Sequence, residues 1–83
     1  MNRYRVVKDE EPSDKYGIAI YAKDPETYQW VEIDRMTGLT RIREDLDTVV
    51  DISNGLYLER FIFEDVLREY LIFHPDRDDR LNR

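Results

Sequence analysis

Residues 53–75 read SNGLYLERFIFEDVLREYLIFHP, and between Leu56 and Phe73 they hold twelve apolar or aromatic residues and six charges. No other stretch constrains the chain as much. It is too apolar for one face of a surface helix and too charged to span a bilayer. At roughly 100° per residue, Ile62, Phe63, Val66, Leu67, Tyr70 and Phe73 share one arc of about 140°. Such an arc is wide enough to lie across a small sheet. The spacing predicts one long C-terminal helix from about Leu56 to Phe73, stopped by Pro75, with Glu64 placed to pair with Arg68 one turn on. Residues 76–83 have little to bury and are expected to fray.

Leu58, Phe61 and Ile72 fall outside that arc and form a second stripe, which needs a cover or a partner. Three covers are open. Leu46, Val49, Val50 and Ile52 could fold back over it, a second copy could pair with it, or a different protein could seat on it.

The upstream chain alternates with the two-residue period of strands. RYRVVK reads as a short strand with Val6 on one face and Val7 on the other, and DEEPSDK as a loop. YGIAIYAK puts Tyr16, Ile18, Ile20 and Ala22 on one face. KDPET is a turn, in which Asp24 bonds backbone two residues on and Pro25 presets the dihedral. YQWVEIDR alternates again, MTG has the length of a hairpin connection, and LTRIR reads as the returning strand. The fold class expected is α+β: a three- or four-stranded antiparallel meander with the long C-terminal helix packed across it, in one domain over 1–83. Residues 44–53 are ambiguous. Leu39, Ile42, Leu46, Val49 and Val50 fit a helical stripe, while TVVDI is rich in β-branched residues. A short helix ending at Asn54-Gly55, with the glycine in a left-handed cap, is preferred over a last strand turning there.

If Ile18, Ile20, Val31 and Ile33 face the helix, then Tyr21, Tyr28 and Trp30 lie on the opposite face beside Glu32 and Asp34. These five are the candidate interaction residues of the sheet. Exposed aromatics of this kind serve as protein hot spots or as stacking platforms for single-stranded nucleic acid; buried in cross-strand pairs they only stiffen a sheet.

The 83 residues contain no cysteine, which excludes disulfides, thiolate metal sites and cysteine nucleophiles. The net charge of −6 is uneven: residues 1–23 carry +1, residues 24–55 carry −5 and residues 56–83 carry −2. That balance disfavours nucleic acid and favours a basic partner surface. The opening MNRYRVVKDEEP turns acidic within ten residues, so it does not read as a secretion signal and a cytoplasmic address is expected; no apolar run is long enough for a membrane span. His74 beside Pro75 reads as a helix cap. His74, Asp76, Asp78 and Asp79 lack the glycine and terminal glutamate of a calcium loop, so no metal or other cofactor is expected. Ser13 and Ser53 stand in no nucleophile motif, and Gly17, Gly38 and Gly55 form no phosphate loop.

The function these residues point to is a small acidic, non-enzymatic protein that binds another protein as a regulator, adaptor or inhibitor, with a homodimer expected through Leu58, Phe61 and Ile72. One alternative is a single-stranded nucleic-acid module built on Tyr21 and Trp30 with Arg3, Arg5, Lys8, Lys15 and Lys23. A second is a structural oligomer subunit.

Overall fold

A computed structural model of the chain describes residues 1–73, with side chains through residue 71. The element order is β1 (Asn2–Lys8), β2 (Tyr16–Lys23), β3 (Trp30–Thr40), α1 (Arg43–Gly55) and α2 (Arg60–Phe73). The strands form one antiparallel sheet in the order β1-β2-β3, so the expected α+β meander is present with three strands. Both helices contribute to the core on one face of the sheet. There Tyr4, Ile18, Ile20, Leu46, Val49, Val50, Phe63 and Leu67 are buried together.

The described residues form two helices of similar length where one long C-terminal helix was expected. The break lies at 56–59. Leu56 leaves helical geometry, Tyr57 takes a left-handed φ of 52°, and Leu58 N–H turns back to the Ser53 carbonyl at 2.9 Å. A left-handed residue after the last turn closes a helix by satisfying its free carbonyls. It was expected at Gly55, yet only Gly38 among the glycines has positive φ, and the tyrosine carries the strained conformation. Helix α2 then restarts with Phe63 N–H donating to the Glu59 carbonyl.

The core arc is narrower than its wheel. Phe63 and Leu67 are buried, and Val66 and Tyr70 pack partly against the core, but Ile62 is 40 % exposed. Leu58, placed in the second stripe by sequence, packs on the core instead because it precedes the restart of the helix. The segment 44–53 does not cover Phe61: Leu46, Val49 and Val50 sit in the core against the sheet, while Phe61 remains 67 % exposed. The side chains of Ile72 and Phe73, the fraying of 76–83, the stop at Pro75 and the roles weighed for His74, Asp76, Asp78 and Asp79 lie outside the described residues. Arg68 pairs with Asp65 at 3.2 Å and Glu64 with Arg60 at 3.3 Å, in place of the Glu64–Arg68 pair.

Two irregularities of β3 replace the expected hairpin at MTG. Tyr16 pairs with Thr40 and Ile18 with Met36, so residues 37–39 bulge opposite Gly17. Gly38, at φ 66°, supplies the left-handed step of that bulge, and its N–H donates to an Asp9 carboxylate oxygen at 2.8 Å. The strand therefore continues through the glycine. A second shift sets Ile20 against Asp34 but Tyr21 against Glu32, leaving Ile33 as the extra residue. Ile33, the bulge residue, and Val31, beyond it at the turn end of the strand, were expected over the core but are 51 % and 48 % exposed.

Candidate functional site

The sheet register decides which side chains share a face. Tyr4 pairs with Ile20, and both are in the core. The intervening residues therefore point to the face that carries no helix. On β1 these are Arg3, Arg5 and Val7; on β2 they are Gly17, Ala19, Tyr21 and Lys23. Across β3 their partners are Arg35 opposite Ala19, Glu32 opposite Tyr21, and Trp30 opposite Lys23. Ala19 is fully buried although it lies on this open face, because it sits between Arg5 and Arg35, whose long stems shield it.

The aromatic and basic residues interleave. The Arg3 guanidinium carbon lies 5.1 Å from the centroid of Trp30, and Lys23 Nζ lies 5.9 Å from the same ring. Both separations are within cation–π range. Arg3, Arg5, Tyr21 and Trp30 line one groove, which continues over the β1 edge to Tyr4 and Asn54. Glu32 is occupied on this face: Arg35 donates to its two oxygens at 2.6 and 3.2 Å. The hydrogen bond from Arg35 holds the Glu32 carboxyl below the usual range. Among the described residues no carboxylate forms an ion pair with Arg3, Arg5 or Lys23.

Three of the five sheet residues chosen from sequence, Tyr21, Trp30 and Glu32, share this face. Asp34 does not. The bulge at Ile33 inverts the alternation, so Asp34 pairs with Ile20 and turns to the helical side, where Arg60 of α2 donates to it. The Arg35 backbone N–H and the Arg60 guanidinium lower its pKa. Tyr28 lies off the strands, in the turn at φ 59°, and is 73 % exposed with Lys23 Nζ 6.0 Å from its ring. Of the five basic residues that the sequence set beside Tyr21 and Trp30, Arg3, Arg5 and Lys23 join the face. Lys8 stacks over Tyr16 on the helical side and Lys15 lies in the β1–β2 loop, so neither joins the face.

Among the described residues of the second stripe, Phe61 is exposed. It stands with Ile52, Leu56 and Tyr57 around the corner between α1 and α2, all four exposed. The N-terminal amino group of Met1 reaches the same corner, 3.8 Å from Glu59.

The β1–β2 loop forms a separate hollow with Val7, Lys8, Asp9, Glu10, Ser13, Arg35 and Thr37 on its walls. On its wall Asp9 Oδ2 accepts from Gly38 N–H and, at 3.3 Å, from Ser13 Oγ. These bonds fix the bulge, so the hollow reads as a structural joint. Among the described residues no three of His, Cys, Asp and Glu converge on a point where a metal could sit, and no helix is long and apolar enough to cross a membrane.

Comparison with family models, with curated proteins and with solved structures gave no match to this chain. Functional argument therefore rests on the open sheet face and the exposed corner.

Proposed function

We propose that this protein is a non-enzymatic protein-binding module, a regulator, adaptor or inhibitor, and that it meets its partner through the open face of the sheet. One observation carries the reading. Arg3, Arg5 and Lys23 surround Trp30 and Tyr21 on that face with no ion-pair partner among the described residues, in a chain whose net charge is −6. With 19 acidic side chains available, internal pairing of these cations would be easy to arrange. Aromatic residues and arginine dominate the energetic centres of protein interfaces, because they bury large rigid area and donate several hydrogen bonds at once.

This reading changes the sign of the partner expected from sequence. A basic partner was inferred from the acidic middle of the chain, but Glu32 is held by Arg35 and Asp34 by Arg60. The sheet offers cations. The exposed corner at Phe61 supports self-association as part of the same proposal, since an exposed cluster of this kind gains by meeting its symmetric copy.

Single-stranded nucleic acid is the second reading, favoured by Arg and Trp on an open sheet. The acidic loops weaken it, as argued below. The test is affinity capture from nuclease-treated lysate with wild type, Arg3→Glu and Phe61→Glu. The reading expects a protein retained by wild type and Phe61→Glu and lost with Arg3→Glu. Loss with Phe61→Glu alone would move the binding site to the corner, and recovery of nucleic acid before nuclease treatment would favour the second reading.

A further inference from the structure

The geometry points to a short, extended acidic segment of a partner protein as the ligand of the open face; this rests on the reading that the face is a protein-binding surface. Three features of the molecule define that class.

The first is spacing. Arg3 and Arg5 are two residues apart on one strand, so their side chains leave the sheet about 7 Å from each other. Alternate residues of an extended peptide repeat at about that distance. Carboxylates at positions i and i+2 can therefore meet both guanidiniums, each able to bind two oxygens. Lys23 and the ring of Trp30 lie one strand and two strands further across. They provide a third positive charge and an apolar floor.

The second feature is the state of the sheet edges. Asn54 of α1 donates through Nδ2 to the Tyr4 carbonyl and accepts the Tyr4 N–H on Oδ1, each at 2.9 Å. The side-chain amide takes the place that a neighbouring strand's peptide would occupy on β1. At the other edge, β3 is interrupted by its two bulges, and the Arg35 N–H is taken by the Asp34 carboxylate at 2.8 Å. Strand addition is obstructed at both edges, so recognition falls to the side chains of the face.

The third feature sets the length. The face is bounded along the strands by two acidic loops. Residues 9–15 bring Asp9, Glu10 and Glu11 to one end, where Asp14 is paired with Arg41 and Lys15 offsets part of the charge, and residues 24–29 bring Asp24 and Glu26 to the other. A long polyanion lying along the strands would run onto like charge at either end. A few acidic residues fit between the loops and are centred by them.

The experiment uses the full chain and the fluorescence of Trp30, its one tryptophan. Four probes are titrated: a twelve-residue peptide alternating glutamate and threonine, its lysine and glutamine counterparts, and a twelve-nucleotide oligothymidylate. The expected result is saturable quenching by the glutamate peptide alone. Its affinity should fall about tenfold or more at high salt and in the Arg3→Ala/Arg5→Ala double variant. Circular dichroism confirms that the variant is folded, and Lys23→Ala, which leaves β1 intact, should weaken binding in the same direction. Tighter binding of the oligonucleotide than of the glutamate peptide overturns the inference in favour of nucleic acid. Quenching by the lysine or glutamine peptide overturns the acidic class while the protein-binding face stands. Silence from all four probes removes both.

Discussion

Tyr4 ties three elements together through one side chain and its own peptide. Its ring stacks on Phe63 of α2, centroids 4.0 Å apart and 17° from parallel, and its hydroxyl donates to the Leu58 carbonyl at 2.7 Å. Burial is the main reason that its pKa is pushed up from 10.0 to about 12, with the Glu59 charge adding to it. A folded-state pKa above the unfolded one means that the native state holds the proton more tightly. The resulting stability is complete below pH 10 and is lost as pH rises toward 12. Two pH units correspond to about 2–3 kcal/mol. Wild type is expected to lose about that much across this window in denaturant titrations. Tyr4→Phe should start about 1 kcal/mol lower at neutral pH and show a flatter alkaline decline. Ser53 shows the opposite situation. It is fully buried in α1 and its hydroxyl has no hydrogen-bond partner among the described residues. Ser53→Ala removes an uncompensated polar group and should raise stability by about 0.5–1 kcal/mol, read from the urea midpoint.

At the scale of elements, single residues decide register. A Cβ on Gly17 would lie 2.0 Å from the Met36 carbonyl oxygen, a contact that only separation of β2 from β3 can relieve. Gly17→Ala is expected to cost about 3 kcal/mol or more, with loss of amide protection concentrated in β3. Asn54→Ala takes away both bonds that cover the free side of β1 at Tyr4. It should cost about 1–2 kcal/mol and expose that peptide to hydrogen exchange. The strands were legible because each alternates, and the KDPET turn because Asp24 bonds the Glu26 N–H as its chemistry requires. The helix over 43–55 was legible in Leu46, Val49 and Val50. The helix break at Tyr57 was not: a tyrosine at positive φ follows no local preference and is held there by the docking of Leu58 and Phe63 on the core. The bulge at Ile33 was hidden for a similar reason, since YQWVEIDR alternates cleanly and only pairing with β2 inserts the extra residue.

Across the whole molecule, charge is segregated. The open sheet face carries Arg3, Arg5, Lys23 and Arg35 against Glu32, whereas α1 carries Glu44, Asp45, Asp47 and Asp51 against Arg43. The net charge of −6 therefore conceals a basic surface, which composition alone does not show. The corner of Ile52, Leu56, Tyr57 and Phe61 is separate from that surface and carries its own test. Wild type is expected to sediment as a dimer at micromolar concentration and Phe61→Glu as a monomer of unchanged helicity. A monomeric wild type removes self-association and, with it, the structural-oligomer alternative.

The α+β class, an antiparallel meander of three or four strands, the helical stripes and the aromatic residues of the sheet were all legible in the sequence. Those follow from local periodicity and turn chemistry. Packing and pairing placed Leu58 against the core and left Phe61 outside it, turned Asp34 to Arg60, and set Arg3 over Trp30. Each of these depends on register between strands distant in sequence, and a shift of one residue moves a side chain to the other face. The segment 53–73 is thus two pieces around a left-handed tyrosine, with Phe63 and Leu67 in the core and Tyr57 and Phe61 uncovered.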